Sequence, residues 1–388
     1  MKEKLLAIIN KLTPELDELS LQIYNNPELG YEEYNSCKLH KELLRKYGFN
    51  VTDNFSGVET GFKAEYKSNK DGITVAYMAE YDALPEIGHG CGHNLLGTVS
   101  TGAGVVLKQL IDEIGGTVIV FGTPAEETSG AKITYVENHE FDNVDIALIA
   151  HPGSEYAKSG TSLALEPIQF EFFGQTAHAA AAPEKGINAL DAAISTFNSI
   201  NALREHMRSD SRVHGVIIDG GKAANIVPDY SKSQFYVRSA TKSYNHELLE
   251  RVKNCARGAA LATGTRLEIT KFEFSYDNMV TNETLSNVFN EQIYELANIT
   301  MNEPPKNTGS IDAGQVSQVC PTIHPYFDIT NDKGIAGHTR EMANCTLTPY
   351  AKEQMKNTIG ALVMTAVKVI TNPKLFEEIK LEFNNSVK

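Results

Sequence analysis

The chain has 388 residues, 41% apolar and 22% charged, with a formal net charge of −14. That length exceeds what one core usually organises, so two domains are expected, and the acidity argues against the cationic face that nucleic acid or an anionic membrane surface requires. Five scattered cysteines, Cys37, Cys91, Cys255, Cys320 and Cys345, make no disulfide framework and point to a reducing compartment; with no signal-peptide core and no membrane-spanning run, the expected location is cytoplasmic.

Residues 3–26 read as an amphipathic helix in which Thr13-Pro14 supplies an N-cap and a first-turn proline, so two helices or one broken helix are expected. Asn26-Pro27-Glu28-Leu29-Gly30 turns the chain, and a helix over 32–47 is ended by Gly48. Residues 61–66 and 73–79 read as a hairpin-like pair of strands. The stretch that organises the chain follows: Glu80-Tyr81-Asp82-Ala83-Leu84-Pro85, then His89-Gly90-Cys91-Gly92-His93, then a helix over 95–114. Gly88, Gly90 and Gly92 remove bulk around two histidines and a cysteine, so the loop can fold tightly. A thiolate and an imidazole two residues apart suit a borderline-soft divalent metal; a helix-capping loop around a buried free cysteine is the purely structural alternative.

The apolar run 117–122 ends in Thr123-Pro124-Ala125-Glu126-Glu127, and the run 144–150 ends at His151-Pro152-Gly153. Short strands that are apolar throughout, alternating with helices, indicate an α/β sheet covered on both faces. Glu80 and Asp82, Glu126 and Glu127, and His151 each sit just past the C-terminal end of such a strand, the edge where ligand crevices form.

Near Leu165 the pattern changes. Residues 168–173 alternate like a half-exposed strand, a loop carries His178, and a helix spans about 188–207. Strands over 213–219 and 233–239, a helix over 247–263 and a strand over 266–274 complete a βαββαβ order, that of a ferredoxin-like α+β domain inserted into the first. The expected division is 1–164 and 277–388 for the first domain and 165–276 for the insert. From about Asn282 the helix–strand alternation resumes, with a glycine-punctuated loop at 309–314, a strand over 322–327, Gly337-His338-Thr339, and a last long helix over 349–371.

Cys91-Gly92-His93, Pro124-Ala125-Glu126-Glu127, His151-Pro152, the His178 loop and His338 together resemble the aminoacylase/carboxypeptidase metallopeptidase family. Within it the likeness is to the amidohydrolase branch of hippurate, indoleacetyl-amino-acid and aminobenzoyl-glutamate hydrolases. Glu80-Tyr81-Asp82-Ala83-Leu84-Pro85 and Gly309-Ser310 bring it nearest the aminoacylase-like dipeptidases. Asn26-Pro27-Glu28-Leu29-Gly30 and Asn225-Ile226-Val227-Pro228 extend the likeness over nearly the whole chain.

The resemblance implies a dimetal exopeptidase-type domain, a mixed sheet between helices, with an inserted lid that also dimerises. It implies Cys91 as a bridging ligand, with His93, Glu127, His151 and His338 completing two divalent sites for zinc or manganese. Glu126 would be the general base, His178 a catalytic residue on the lid, and Asn225 and Arg238 contacts for substrate. Asp82 and His89 would support the ligands from behind. The implied partners are a small-molecule or short-peptide substrate and a second copy of the chain, a homodimer or a higher oligomer, with no nucleic acid and no membrane. The implied reaction is metal-dependent hydrolysis of the amide bond of small N-acyl amino acids or dipeptides. Aminopeptidase or carboxypeptidase action on short peptides, and a non-catalytic binding protein on the same scaffold, are the alternatives.

Two departures from the family pattern bear on the site. Glu80 stands where much of the wider family has a histidine ligand; its charge would either favour a cationic substrate group or support the site from behind. Asn94 stands where many relatives have an aspartate, a loss expected to loosen His93 or alter metal preference.

Overall fold

A computed structural model describes residues 2–304 and 309–386. The chain forms two compact units, Met1–Thr161 with Met279–Lys388, and Ser162–Asn278.

In chain order the first unit holds α1 (Lys2–Asn25), α2 (Tyr34–Lys46), β1 (Asn50–Asp53), β2 (Phe62–Lys67), β3 (Thr74–Ala79), α3 (His93–Ile114), β4 (Thr117–Gly122), α4 (Ala131–Glu137), β5 (Ile146–Leu148) and β6 (His151–Gly153). The second holds β7 (Ala164–Phe173), α5 (Ala189–Leu203), β8 (Arg212–Asp219), β9 (Tyr230–Ser239), α6 (Lys242–Thr263) and β10 (Arg266–Thr270). The chain then returns to the first unit with α7 (Glu283–Ala297), α8 (Ala313–Ser317), β11 (Thr322–Ile323), β12 (Tyr326–Asp328), α9 (Arg340–Cys345), α10 (Pro349–Ile370) and α11 (Pro373–Ser386).

Helix α1 runs unbroken through Pro14. Thr13 does not cap a new helix; its Oγ1 donates to the Ile9 carbonyl at 2.8 Å. Leu12 and Leu16 on either side are buried, so packing of the apolar face outweighs the hydrogen bond that proline forfeits.

The main sheet has the order β1-β2-β4-β3-β5-β11. Strands β4, β3, β5 and β11 are mutually parallel, and β2 joins β4 antiparallel. The expected hairpin of β2 with β3 is therefore not formed, because β4, later in the chain, lies between them. The run 322–327 is likewise two strands rather than one: β11 extends the main sheet beside β5, and β12 pairs with β6.

Alternate residues of the central strands go to opposite faces, as the strand period requires. Val75, Tyr77, Val118 and Val120 pack with Val99, Val106 and Leu110 of α3 and Ile359, Leu362 and Val363 of α10. Ala76, Met78, Ile119 and Phe121 pack with Ala131 and Tyr135 of α4 and Val316 of α8. Both faces are thus covered, and the four parallel strands open their C-terminal ends along one edge.

The second unit is a four-stranded antiparallel sheet in the order β10-β7-β9-β8. Phe170, Phe235 and Val237 pack against Ala192 and Ile200 of α5 and Leu248 and Val252 of α6. This is the ferredoxin-like arrangement of βαββαβ.

Candidate metal centre

The site lies in the first unit, at the C-terminal edge of its parallel strands. Glu80 and Asp82 leave β3, the loop with Glu126 and Glu127 leaves β4, and His151 opens β6 just beyond β5. Cys91 ends the loop that enters α3, and Gly92, at φ 81°, is that helix's N-cap. No side chain but hydrogen fits there easily, since a Cβ on Gly92 would lie 2.6 Å from Pro152 Cγ. A thiolate at a helix N-terminus also faces the positive end of the helix dipole.

Two sets of possible ligand atoms share one sulfur. Cys91, His93 and His151 lie within 4.8 Å of one another, and so do Cys91, Glu127 and His338. Cys91 Sγ is 3.5 Å from His151 Nε2, and Glu127 Oε1 is 3.5 Å from His338 Nε2. Glu126, beside Glu127, belongs to neither of these sets but to a third without the sulfur, in which Glu80, His93 and Glu126 lie within 4.8 Å of one another; its Oε2 is 4.0 Å from His93 Nε2. Ala125, at φ 65°, turns the chain so that the two acids diverge, and its N–H donates to buried Glu33 at 2.8 Å.

The hydrogen bonds behind the ligands decide which atoms face inward. His93 Nδ1 is 2.9 Å from Asp82 Oδ1, and the other Asp82 oxygen accepts the Glu127 N–H at 2.9 Å. His151 Nδ1 donates to the Pro152 carbonyl at 2.6 Å. In both imidazoles Nδ1 therefore carries a proton, and Nε2 is the atom that faces the centre. Against the cost of burial, the His93 ring and the Glu127 amide hold the Asp82 carboxyl below its usual range. His151 is pushed down to about 3 by burial and by its histidine neighbours, so it is a neutral donor.

A pair of divalent ions fits these residues. Glu80 Oε2, His93 Nε2 and Glu127 Oε1 are buried and make no hydrogen bond. Burial, with the Glu127 and Glu126 charges, pushes the Cys91 thiol far up, so a thiolate here needs a cation at hand. Burial opposes a charged His93, yet Asp82 and Cys91 hold it well above its ordinary range, which is the pull of a place built for positive charge. Sulfur, nitrogen and carboxylate donors together suit zinc, and the nitrogen and carboxylate donors suit manganese as well.

The remaining predicted residues fall as follows. His89 is buried, with Nε2 3.1 Å from the Ile23 carbonyl, so its one bond is directed to the end of α1. In the second unit His178 and Asn225 lie in adjacent loops, tied by the Ala179 N–H to the Asn225 carbonyl at 3.0 Å. His178 Nδ1 accepts the Ala180 and Ala181 N–H groups, at 3.2 and 3.1 Å, which leaves the proton on Nε2. Arg238 is near the far end of β9 from those loops, roughly 26 Å along the strand by its rise per residue, with its guanidinium over the Tyr236 ring.

Two expectations are corrected. Glu80 is 1% exposed, with Oε1 2.7 Å from Lys132 Nζ, so it is unavailable to a cationic substrate group. Asn94 turns away from His93 and donates to Ser20 and Thr346, while Asp82 orients the imidazole; the substitution does not loosen it.

Four residues at the site escape a reading of the sequence. Lys132 is fully buried between Glu80 and Asp312, 2.6 Å from the latter. The His324 ring stacks on His151 at 5.4 Å, and Tyr326 packs on it at 5.5 Å. The signals were present but local: a lysine inside an apolar helix start, and a histidine just past the end of β11. A cavity of about 320 Å³ opens over the centre, lined by Cys91, His151, Glu155, Tyr326, His338 and Met342 among others.

Residues 167–263 match the peptidase dimerisation domain of the M20 peptidases. The chain is 36% identical over 405 residues to a mouse Xaa-Arg dipeptidase, covering 99% of this chain and 92% of that one. It is 33% identical over 291 residues to one of the p-aminobenzoyl-glutamate hydrolase subunits of Escherichia coli, covering 70% of this chain and 60% of that one. Its fold is similar to that of a dinuclear metal-binding peptidase of the M20 family from Bacillus subtilis, with a TM-score of 0.69 at 19% identity over 94% of this chain and 99% of that one. The chain belongs to the M20 family of metallopeptidases, on the branch of its dipeptidases and amidohydrolases.

Proposed function

We propose that the protein hydrolyses the amide bond of dipeptides or small N-acyl amino acids at a centre in which Cys91 is shared by two divalent ions. The observation that carries the reading is the pair of ligand sets meeting at one sulfur, with the Glu126 carboxylate beside them, 4.0 Å from His93 Nε2. Cys91, His93 and His151 hold one ion, and Cys91, Glu127 and His338 the other; zinc and manganese both suit these donors. When bound, such ions acidify a water and polarise the scissile carbonyl.

Glu126 is the general base. Burial and the charges of Glu80, Asp312 and Glu127 push its carboxyl well above the usual range, which gives it the proton affinity to take a proton from water and deliver it to the leaving nitrogen. Asp82 fixes the His93 ring and the Glu127 backbone together. His178, with its Nε2–H free to donate, and Asn225 bind the substrate carboxylate or the oxyanion.

The likeness to an Xaa-Arg dipeptidase makes dipeptides with a basic C-terminal residue the first substrates to assay, and Glu155 supplies an anionic group on the cavity wall. The exposed run Val216, Ile217 and Ile218 on edge strand β8 supports a homodimer formed through the second unit. Five free cysteines support a reducing, cytoplasmic setting.

The test is Glu126→Gln, assayed on a panel of dipeptides and N-acyl amino acids with zinc and with manganese. The expected result is unchanged metal content and a kcat lower by about 10²–10⁴. Turnover within a factor of two of wild type removes Glu126 as the base.

A further inference from the structure

The first unit has a second cavity, of about 620 Å³, within the size range of small-molecule sites. It is built on the same two segments as the cavity over the metal centre but shares no residue with it: Cys91 and His338 line the one, His89 and Arg340 the other. The two segments are tied where they meet, since the His338 N–H donates to the Gly90 carbonyl at 2.9 Å. Ile87, on the wall of the second cavity, packs into that junction. A Cβ on Gly90 would lie 2.6 Å from Ile87 Cγ2 and 3.0 Å from the Thr339 carbonyl oxygen.

The wall of this cavity carries both signs of charge, and the two do not neutralise each other. Arg340 Nη2 donates to the backbone carbonyl of Glu86 at 3.0 Å, not to its carboxylate. Among the described residues neither Arg340 nor the Glu86 carboxylate has an ion-pair partner. Glu86 is held at φ 61° in a turn closed by the Leu84 N–H to the Gly88 carbonyl at 2.9 Å and the Gly88 N–H to the Leu84 carbonyl at 3.0 Å. Glycine or asparagine takes that backbone more readily, so the turn itself does not call for a carboxylate. His89 adds an unpaired acceptor: its Nε2–H donates to the Ile23 carbonyl, and Nδ1 is buried with no hydrogen bond. Leu29, Leu84 and Ile87 supply the apolar part of the wall.

We propose that this cavity is a regulatory site for a free amino acid with an apolar side chain. Its carboxylate pairs with Arg340, its ammonium with Glu86, and its side chain covers Leu29, Leu84 and Ile87. A simple anion would leave Glu86 facing it, and a simple cation would meet Arg340; a zwitterion satisfies both. The choice of an amino acid rests on the functional reading above, whose products are of that class. A ligand seated on Ile87 bears on Gly90 and Thr339, the neighbours of Cys91 and His338, so its binding is coupled to turnover at the metal centre.

The test is titration calorimetry of the full-length, metal-loaded protein with L-leucine, beside Arg340→Ala and Glu86→Gln, with dipeptide kinetics on all three. Wild type is expected to bind leucine, and each variant to bind it at least about tenfold more weakly at unchanged metal content. N-acetyl-L-leucine amide, which lacks both charges, should not bind. Leucine should change kcat in wild type and leave it unchanged in the variants. No binding of leucine, or equal binding by wild type and both variants, overturns the site. Inhibition that only raises KM and persists in the variants places leucine in the metal cavity as a product, and overturns it too. Leucine binding that depends on Arg340 and Glu86, in a protein that hydrolyses none of the dipeptides, upholds the site and removes the functional reading instead.

Discussion

At the scale of single residues, the proposed ligands exchange protons for metal. Burial, with the charges of Glu127 and Glu126, raises Cys91, and Asp82 holds His93 high despite its burial, so without a cation both retain protons at neutral pH. Metal binding must displace those protons, so affinity rises with pH across the neutral range and falls as pH is lowered. Titration calorimetry in buffers of differing ionisation enthalpy should show release of about one to two protons as the sites fill; no release would mean that the thiol is not a ligand. His178 answers a different assay. Its Nε2–H is free only because two backbone amides occupy Nδ1, so His178→Ala should lower kcat/KM at unchanged metal content. Unchanged kcat/KM would remove it from substrate binding.

At the scale of elements, the site depends on how loops enter and leave the parallel strands. Gly92 combines a positive φ with close approach to Pro152, so Gly92→Ala should cost about 1–3 kcal/mol of stability and weaken metal binding by displacing Cys91 and His93 together. Thermal denaturation and metal titration of the variant read both effects, and an unchanged melting temperature counts against a tightly constrained loop. Much of this layout was legible in the sequence, because the buried strands are short apolar runs and the acids and histidines follow them directly. The strand neighbours were not. Proximity in sequence suggested pairing β2 with β3, whereas β4 separates them, and nothing local marks that choice. Pro14 misled in the opposite sense, since buried leucines on both sides keep α1 continuous. The Glu80–Lys132–Asp312 network was illegible for the same reason as the sheet order: its partners are 52 and 180 residues apart along the chain.

At the scale of the whole molecule, each unit has a separate task. The first gathers the candidate metal ligands. The second carries His178 and Asn225 on adjoining loops and ends its sheet in β8, where Val216 and Ile218 are more than half exposed and Ile217 is 37% exposed. An open, apolar edge strand is a template for pairing, so Ile217→Lys with Val216→Lys should shift the protein from dimer to monomer in light scattering after size exclusion. A dimer unaffected by both changes would place the interface elsewhere. The account stands or falls on one shared sulfur, and elemental analysis of wild type and Cys91→Ala measures it most directly. Two divalent ions per chain in wild type, both lost together in the variant, is the expected result. Wild type holding fewer than two after reconstitution, or Cys91→Ala retaining both, would contradict a centre built around Cys91.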